Sequence, residues 1–142
     1  MLLCSSDETI QHLFFDCHVA KFLWRTVHFA LDLNPPHSIT HLLGNWFRGV
    51  GTKLKRQLLI GASALCWTIW LSRNDVVFDK SPTKTYLQVL YRGTHWLRFW
   101  AQLQRRDEDK EAIQKACKTI EVLVMQLFAN NGCMFSNRIG PQ

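Results

Sequence analysis

The chain has 142 residues and a mass of 16.6 kDa, a length typical of one domain. Lys and Arg (17) outnumber Asp and Glu (11), so the net charge is +6 and the pI is about 9.3. An apolar fraction of 47% excludes general disorder, and 7 Gly with 4 Pro exclude collagen-like and linker-like chains. Six Trp and nine Phe supply enough apolar surface for a sizeable core.

The first third of the chain predicts one long helix and one short helix. Ser5 and Glu8 have the spacing of a capping box, with Ser5 as N-cap and Glu8 at the third helical position. Apolar residues then recur at helical spacing over residues 9–31, until the Asn-Pro-Pro run at 34–36 ends the helix. Ser38 is predicted to cap a short second helix.

Three further helices are predicted downstream. Thr52 is expected to cap a helix that reaches about residue 77, and its wide apolar face predicts a central position. Pro82 marks the next start, because proline is favoured at the first helical position. Residues 104–111 are a charged cluster that forms either a loop or an exposed turn of helix. A last helix is predicted over residues 113–127, with a stop at the Asn-Asn-Gly run that follows.

Alternation at a period of two is nearly absent, so the predicted fold class is all-α with five or six helices and a small, degenerate N-terminal zinc-finger element. The predicted organisation is a zinc-binding motif with the first helix at 1–32, a helical domain at 33–130 and a C-terminal tail at 131–142. The apolar run at 58–71 is shorter than the roughly 20 residues of a membrane span, so no membrane association is expected.

The ends and the cysteines predict the compartment. No basic segment precedes the apolar residues at the start, and acidic residues follow at once, so no secretory signal is predicted. Five cysteines are an odd number, which favours reduced thiols. We therefore expect a nuclear or cytoplasmic protein that is not secreted.

Cys4, His12 and Cys17 form the group with metal-ligand character. Thiolate and imidazole are the usual zinc ligands, and a structural zinc ion takes four of them. His12 and Cys17 do not face the same side of a straight helix, so the helix is expected to bend or open near Asp16. His18 is a candidate fourth ligand that points elsewhere, because it is adjacent to Cys17. The alternative is that these three residues are helix-cap and core residues without a metal.

The run LCSSDETIQHLFFDCHVAKFLW resembles the zinc-binding region that follows the reverse transcriptase in plant LINE-type (non-LTR) retrotransposons. The matching residues are Cys4, Glu8, Thr9, His12, Leu13, Phe14, Cys17, Ala20 and Trp24. The downstream run WTIWLSRNDVVFDK resembles a second segment of that region through Trp67, Ile69, Trp70, Arg73, Asn74 and Phe78. The resemblance covers roughly residues 1–100.

This resemblance implies that zinc is a cofactor and that Cys4, His12 and Cys17 hold it. It also implies an ancestral role in binding RNA or DNA beside the polymerase. The first cysteine of the family pattern falls at Met1, so one ligand is missing and the chain is expected to be N-terminally truncated. Two interpretations stay open. The natural protein begins upstream of Met1, or the chain is a relic that has lost this ligand.

Catalysis is not predicted. The eleven acidic residues show no strand context for the magnesium site of the ribonuclease H domain that often follows this region in such elements. The Gly-Val-Gly run at 49–51 lacks the rest of either phosphate-binding pattern. We therefore expect that the protein is not an enzyme.

Basic residues cluster in two stretches without acids, at 34–74 and 81–106. Basic helices interleaved with aromatic residues are typical of proteins that bind single strands. The alternative is that the cations are a solvated face. Helical spacing predicts that the tryptophans of these helices, Trp67, Trp70, Trp96 and Trp100, belong to the core. The candidate nucleic-acid-binding residues are Lys53, Lys55, Arg56, Arg92 and Arg98.

The leading hypothesis is therefore a retroelement-derived helical fragment that binds RNA or DNA. One alternative is a metal-free helical interaction module, in which the apolar stripe at 113–127 pairs with a helix of a protein partner. Another alternative is a translated relic without a selected function.

Overall fold

The structure is a computed structural model that describes residues 8–78 and 85–131. A π-helical turn, His12–Asp16, comes first, and a 3-10 turn, Asn45–Phe47, follows the second α-helix. The described residues contain no β-strand, which confirms the predicted all-α class. The α-helices are α1 (His18–Leu31), α2 (Ile39–Leu43), α3 (Thr52–Val77), α4 (Tyr86–Gln102) and α5 (Asp107–Asn131).

The first predicted helix is divided at Cys17. The N–H of Cys17 bonds to the carbonyl of His12 at 2.8 Å, which closes the wide π-turn, and the backbone of Cys17 is extended (φ −69°, ψ 159°) before α1 begins. The predicted opening of the helix near Asp16 is therefore confirmed. A straight helix over 9–31 is not formed, because the chain leaves helical geometry at Cys17.

The start of the first helical segment also differs from the prediction. Glu8 is not helical, so it does not take the third helical position of a capping box, and Ser5 lies outside the described residues. Thr9 provides the cap instead, since its Oγ1 accepts a hydrogen bond from the His12 N–H at 3.0 Å. The carboxylate of Glu8 forms an ion pair with Arg73 of α3.

Two of the remaining predicted helix starts are shifted. Ser38 caps α2 as predicted, because its Oγ accepts from the His41 N–H at 3.0 Å. Thr52 is the first helical residue of α3 and Gly51 takes the cap position, so the predicted cap is off by one residue. Pro82 lies outside the described residues, and α4 begins at Tyr86.

A capping box that the sequence reading overlooked sets the start of α4. The Gln88 N–H donates to Thr85 Oγ1 at 3.2 Å, and the Thr85 N–H donates to Gln88 Oε1 at 2.8 Å. This reciprocal pair satisfies two backbone donors that a helix start otherwise leaves open. It places the first turn four residues after Pro82.

The charged cluster at 104–111 divides into a short connection and a helix start. Residues 103–106 connect α4 to α5, and Asp107, Glu108 and Asp109 form the first turn of α5. Carboxylates are favourable there, because the helix dipole is positive at this end.

The helices pack into two neighbouring hydrophobic clusters. Helix α3 packs along α4, α4 packs along α5, and α1 packs against α5 and the π-turn. The larger cluster includes Leu23 of α1, Ile69 of α3 and Leu90 of α4, all fully buried. The smaller cluster joins the same α3–α4 pair to α5 through residues that include Leu97 and Cys117. Within the described ranges, no helix is long and apolar enough to cross a membrane.

Candidate functional site

Cys17 lies at the junction between the π-turn and α1, where its thiol caps the helix. The sulfur accepts a hydrogen bond from the Ala20 N–H at 3.4 Å, and the thiol donates to the carbonyl of Leu13 at 3.4 Å. The side chain is 2% exposed and belongs to the larger hydrophobic cluster. The thiol therefore satisfies a backbone donor that would otherwise be buried without a partner.

The same junction involves other residues of the cysteine-containing motif. The indole N–H of Trp24 donates to the carbonyl of Phe14 at 2.8 Å, which ties the π-turn to the first turns of α1. The ring of Trp24 also lies parallel to that of Phe15, with centroids 6.2 Å apart. Phe14, Cys17, Ala20 and Trp24 are thus parts of one local structure, and their spacing has a capping and packing explanation.

The described residues give a partial view of the predicted zinc ligands. His12 lies half-buried in the π-turn, Cys17 is buried, and Cys4 lies outside the described residues. In the part of the chain that is described, no group of three or more His, Cys, Asp or Glu residues is placed to hold a metal ion. The Cys17 thiol, as placed, fits a protonated cap, because a zinc-bound thiolate could not donate to Leu13. Zinc binding by the three residues stays a prediction.

Replacing Cys17 tests the capping role directly. Cys17→Ala should lower the free energy of unfolding by about 1–2 kcal/mol, because a cap is lost and a small cavity is left in the core. The loss should persist in the presence of a chelator such as EDTA, since it does not depend on metal. Urea unfolding followed by circular dichroism measures the free energy of unfolding with and without EDTA.

Cys17→Ser is the matched control, because a hydroxyl keeps the acceptor for the Ala20 N–H. It should retain more stability than Cys17→Ala. If Cys17→Ala unfolded at the same urea concentration as the natural chain in EDTA, the capping role would be wrong.

Four large aromatic side chains on α3 and α4 form a surface that we call the aromatic face, consisting of Trp67, Trp70, Trp96 and Phe99. Trp67 and Trp70 are 39% and 40% exposed, and Phe99 is 47% exposed. The ring of Trp96 meets Trp67 edge-on at 6.1 Å between centroids and Phe99 edge-on at 5.6 Å. The prediction that Trp67 and Trp70 belong to the core is therefore wrong, whereas Trp96 and Trp100 are partly buried against the smaller cluster.

Close packing of α3 on α4 explains this exposure. The buried positions of α3 at the contact are mostly small or aliphatic, including Thr68, Ile69 and Ser72. On α4 the contact includes Gly93, where an added Cβ would lie 3.5 Å from Cδ2 of Leu65. Gly93 thus faces the side chains of Leu65 and Thr68, and Trp67 and Trp70 lie outside this contact, where they stay partly exposed.

A cation is stacked on this surface. The guanidinium of Arg73 lies over the ring of Trp70, 5.4 Å from its centroid, while it also pairs with Glu8. Contacts of this kind are typical where arginine and tryptophan share an exposed surface. The aromatic face thus combines exposed rings with a stacked guanidinium whose charge is paired with Glu8.

The five predicted nucleic-acid-binding residues have mostly intramolecular partners. Lys53 pairs with Glu108 at 2.6 Å and Arg56 pairs with Asp109 at 3.4 Å, so both join α3 to α5. Lys55 differs, because its Nζ lies over the ring of Phe47 at 5.6 Å from the centroid.

The two arginines of α4 are paired in the same way. Arg92 reaches Asp75 of α3 at 2.5 Å, and Arg98 binds both carboxylate oxygens of Glu121 on α5, with Nη2 and Oε2 2.7 Å apart. Four of the five predicted cations therefore hold helices together. Nucleic-acid contact by any of the five stays a prediction.

These pairs lower the pKa values of the carboxylates. The hydrogen bond from Arg98 lowers the pKa of Glu121 below its ordinary value of 4.5. A hydrogen bond from Gln57, at 2.9 Å, and the charge of Arg56 lower the pKa of Asp109. The hydrogen bond from Lys53 lowers the pKa of Glu108. Folding therefore favours the ionised carboxylates, so their contribution to stability is present above their ordinary pKa values and is lost in acid.

Breaking the bidentate pair should show this pH dependence. Arg98→Met should lower the free energy of unfolding by about 1 kcal/mol at pH 7, discounted because Arg98 is partly solvent-exposed. The difference from the natural chain should shrink as the pH falls below 4.5 and through the lowered pKa of Glu121. Urea unfolding at pH 7, 5, 4 and 3 measures it.

Lys110→Met is the control, because Lys110 forms a long pair of 3.8 Å with the exposed Asp107. It should cost at most about 0.5 kcal/mol at any of these pH values. An equal loss for Arg98→Met at pH 7 and pH 3 would contradict the ion-pair account.

Several exposed cations were not among the predicted site residues. They have no carboxylate partner among the residues that the structure describes, and they are Lys21, Arg25, Arg48, Arg105, Arg106, Lys115 and Lys118. Arg105 and Arg106 follow the last turn of α4, beyond Phe99. Their place in a charged connection was visible in the sequence. The charge of Arg106 also helps to lower the pKa values of Glu108 and Asp109.

The described thiols of the helical core are poor nucleophiles. Burial raises the pKa of Cys66 to about 11, and burial likewise raises the pKa of Cys117 to about 11. Neither thiol is ionised near neutral pH, so both act as small apolar side chains.

Comparisons with protein-family models, with curated proteins and with solved structures found no match to the chain.

Proposed function

We propose that the chain is a non-catalytic helical domain that binds single-stranded RNA or DNA through the aromatic face. The observation that carries this proposal is the exposure of Trp67, Trp70 and Phe99 on neighbouring helices, with Arg73 stacked on Trp70. Exposed aromatic clusters are uncommon on domains that have no binding partner. Bases of any sequence stack on such rings, and each stack contributes about 1–3 kcal/mol.

The charge distribution supports the same proposal. Ion pairs use the cations between the helices, and the excess positive charge is left on exposed side chains such as Arg48 and Arg105. Charges of this kind attract a phosphate backbone over several ångströms and make the affinity depend on salt. Binding should then tolerate many sequences, because neither stacking nor phosphate contact reads base edges.

The proposed origin is a retroelement zinc-binding region with an ancestral role beside a reverse transcriptase. Its support is the resemblance of the two motif segments. Three residues of the second segment, Trp67, Trp70 and Arg73, lie together at the aromatic face. These three residues thus belong both to the resemblance and to the proposed binding surface.

The protein-interaction alternative depends on the apolar stripe of α5. Ile113 and Ile120 of this stripe are buried against the rest of the domain, whereas Ala116, Leu123 and Leu127 are partly exposed. A partner helix would therefore reach only part of the stripe.

Oligonucleotide titrations test the proposal. A fluorescein-labelled single strand should bind the natural chain in fluorescence anisotropy, with an affinity that falls as salt rises from 50 to 200 mM, roughly the range where phosphate contacts weaken. Trp67→Ala and Trp70→Ala should each weaken binding at least about fivefold, the lower end expected for one lost stack.

Phe29→Ala is the matched control, because Phe29 is an exposed aromatic residue of α1 outside the aromatic face. It should leave the affinity unchanged within about twofold. No binding at 50 mM salt, or an equal loss for Phe29→Ala, would refute the proposal.

Zinc is a separate part of the proposal and has its own test. If Cys4, His12 and Cys17 hold zinc, elemental analysis should find one zinc ion per chain, and His12→Ala should lose it. His37→Ala is the control, because His37 is an exposed histidine of the α1–α2 connection. A natural chain purified with added zinc and found to contain none would contradict the zinc prediction.

A further inference from the structure

A pocket of about 240 Å³ lies between α1, α3 and α5, where the two hydrophobic clusters meet. Trp24 and Ile120 of the larger cluster line it, and so do Leu97 and Ile113 of the smaller one. The pocket is partly open to solvent and lies at the junction of the two clusters.

Small residues keep the pocket open. Gly61 and Ala62 of α3 and Ala112 and Ala116 of α5 line it. A Cβ added at Gly61 would meet only Cδ2 of Leu97, at an ordinary distance of 3.8 Å, so close packing does not require this glycine. Glycine is unfavourable inside a helix, and here its effect is to leave volume in the pocket.

The walls of the pocket are held in place without a ligand. The indole N–H of Trp24 donates to the carbonyl of Phe14, and that of Trp46 donates to the carbonyl of Asn34 at 2.7 Å. The two rings meet edge-on with centroids 6.4 Å apart. A preformed site of this kind does not have to be ordered when a ligand binds.

The lining decides the chemistry of the ligand. No charged side chain of the described residues lines the pocket, so a charged ligand would lose its hydration without gaining a counter-ion. Two side-chain amides do line it, those of Asn34 and Gln57. The amide N–H of Gln57 is used by Asp109, which leaves its oxygen as an acceptor.

We propose that this pocket binds one uncharged, largely apolar ring compound with a hydrogen-bond donor. An engineered cavity of about 150 Å³ holds benzene in another protein. A pocket of about 240 Å³ therefore accommodates two fused rings. This activity is independent of the aromatic face, which lies on the outer edge of the α3–α4 contact.

Indole is the probe, because it has two fused rings, one N–H and no charge. Calorimetric titration should find one indole per chain, and the melting temperature should rise with indole concentration, since the ligand binds the folded state. Indole-2-carboxylate, which adds a charge to the same rings, should bind at least tenfold more weakly. Intermolecular NOEs from indole should reach the methyl groups of Leu58, Leu65 and Ile120.

Filling the pocket should prevent binding. Gly61→Leu and Ala116→Leu should each weaken indole binding at least tenfold, whereas Ser63→Leu, on the exposed side of α3, should leave it within twofold. The NOEs measured on the natural chain show whether indole occupies the pocket even if a filled variant fails to fold. No saturable binding, NOEs to other residues, or equal binding of the carboxylate would each overturn the proposal.

Discussion

Three carboxylates of α5 fix the position of that helix. Glu108 and Asp109 in its first turn bind Lys53 and Arg56 of α3, and Glu121 binds Arg98 of α4. These ion pairs hold α5 near both ends of its buried face, at its first turn and at Glu121. The same contacts pair three of the five cations predicted to contact a nucleic acid, so the attachment of α5 reduces the charge available for binding.

The contact between α3 and α4 determines the other half of that surface. Gly93 of α4 faces Leu65 and Thr68 of α3, and the rings of Trp67 and Phe99 stay at the edge of this contact instead of entering the core. Rings in this position are only partly covered, and they retain faces on which a base can stack. The small residues at the α3–α4 contact and the exposed rings at its edge thus belong to the same pair of helices.

Local patterns predicted the elements well, and long-range contacts could not be predicted. Ser38 as a cap follows from a few neighbouring residues and is present. The opening near Asp16 is expected only if His12 and Cys17 reach one metal ion; the helix does open there, and the Cys17 thiol serves as a cap. The Thr85–Gln88 box was equally local and was overlooked because Pro82 gave a competing signal. Helical spacing alone cannot show on which side of α3 the partner helix lies, so it wrongly predicts that Trp67 belongs to the core.

The candidate site shows the same division. That Arg56 pairs with a residue 53 positions away depends on how three helices meet, and no pattern in the sequence reports it. The motif around Cys17 could be read in two ways, as ligands or as a cap. The structure shows the cap for Cys17, while Cys4 lies outside the described residues.

We propose that the interhelical cations stabilise the fold and that the aromatic face, rather than these cations, binds the nucleic acid. Two double variants separate these roles. One combines Lys53→Met with Arg56→Met, and the other combines Trp67→Ala with Trp70→Ala. Urea unfolding and affinity for a single strand are measured on both. The variant without Lys53 and Arg56 should lose stability, and its affinity should fall by no more than about twofold for each cation removed. The variant without Trp67 and Trp70 should lose affinity by at least about tenfold. The reverse pattern would contradict the account.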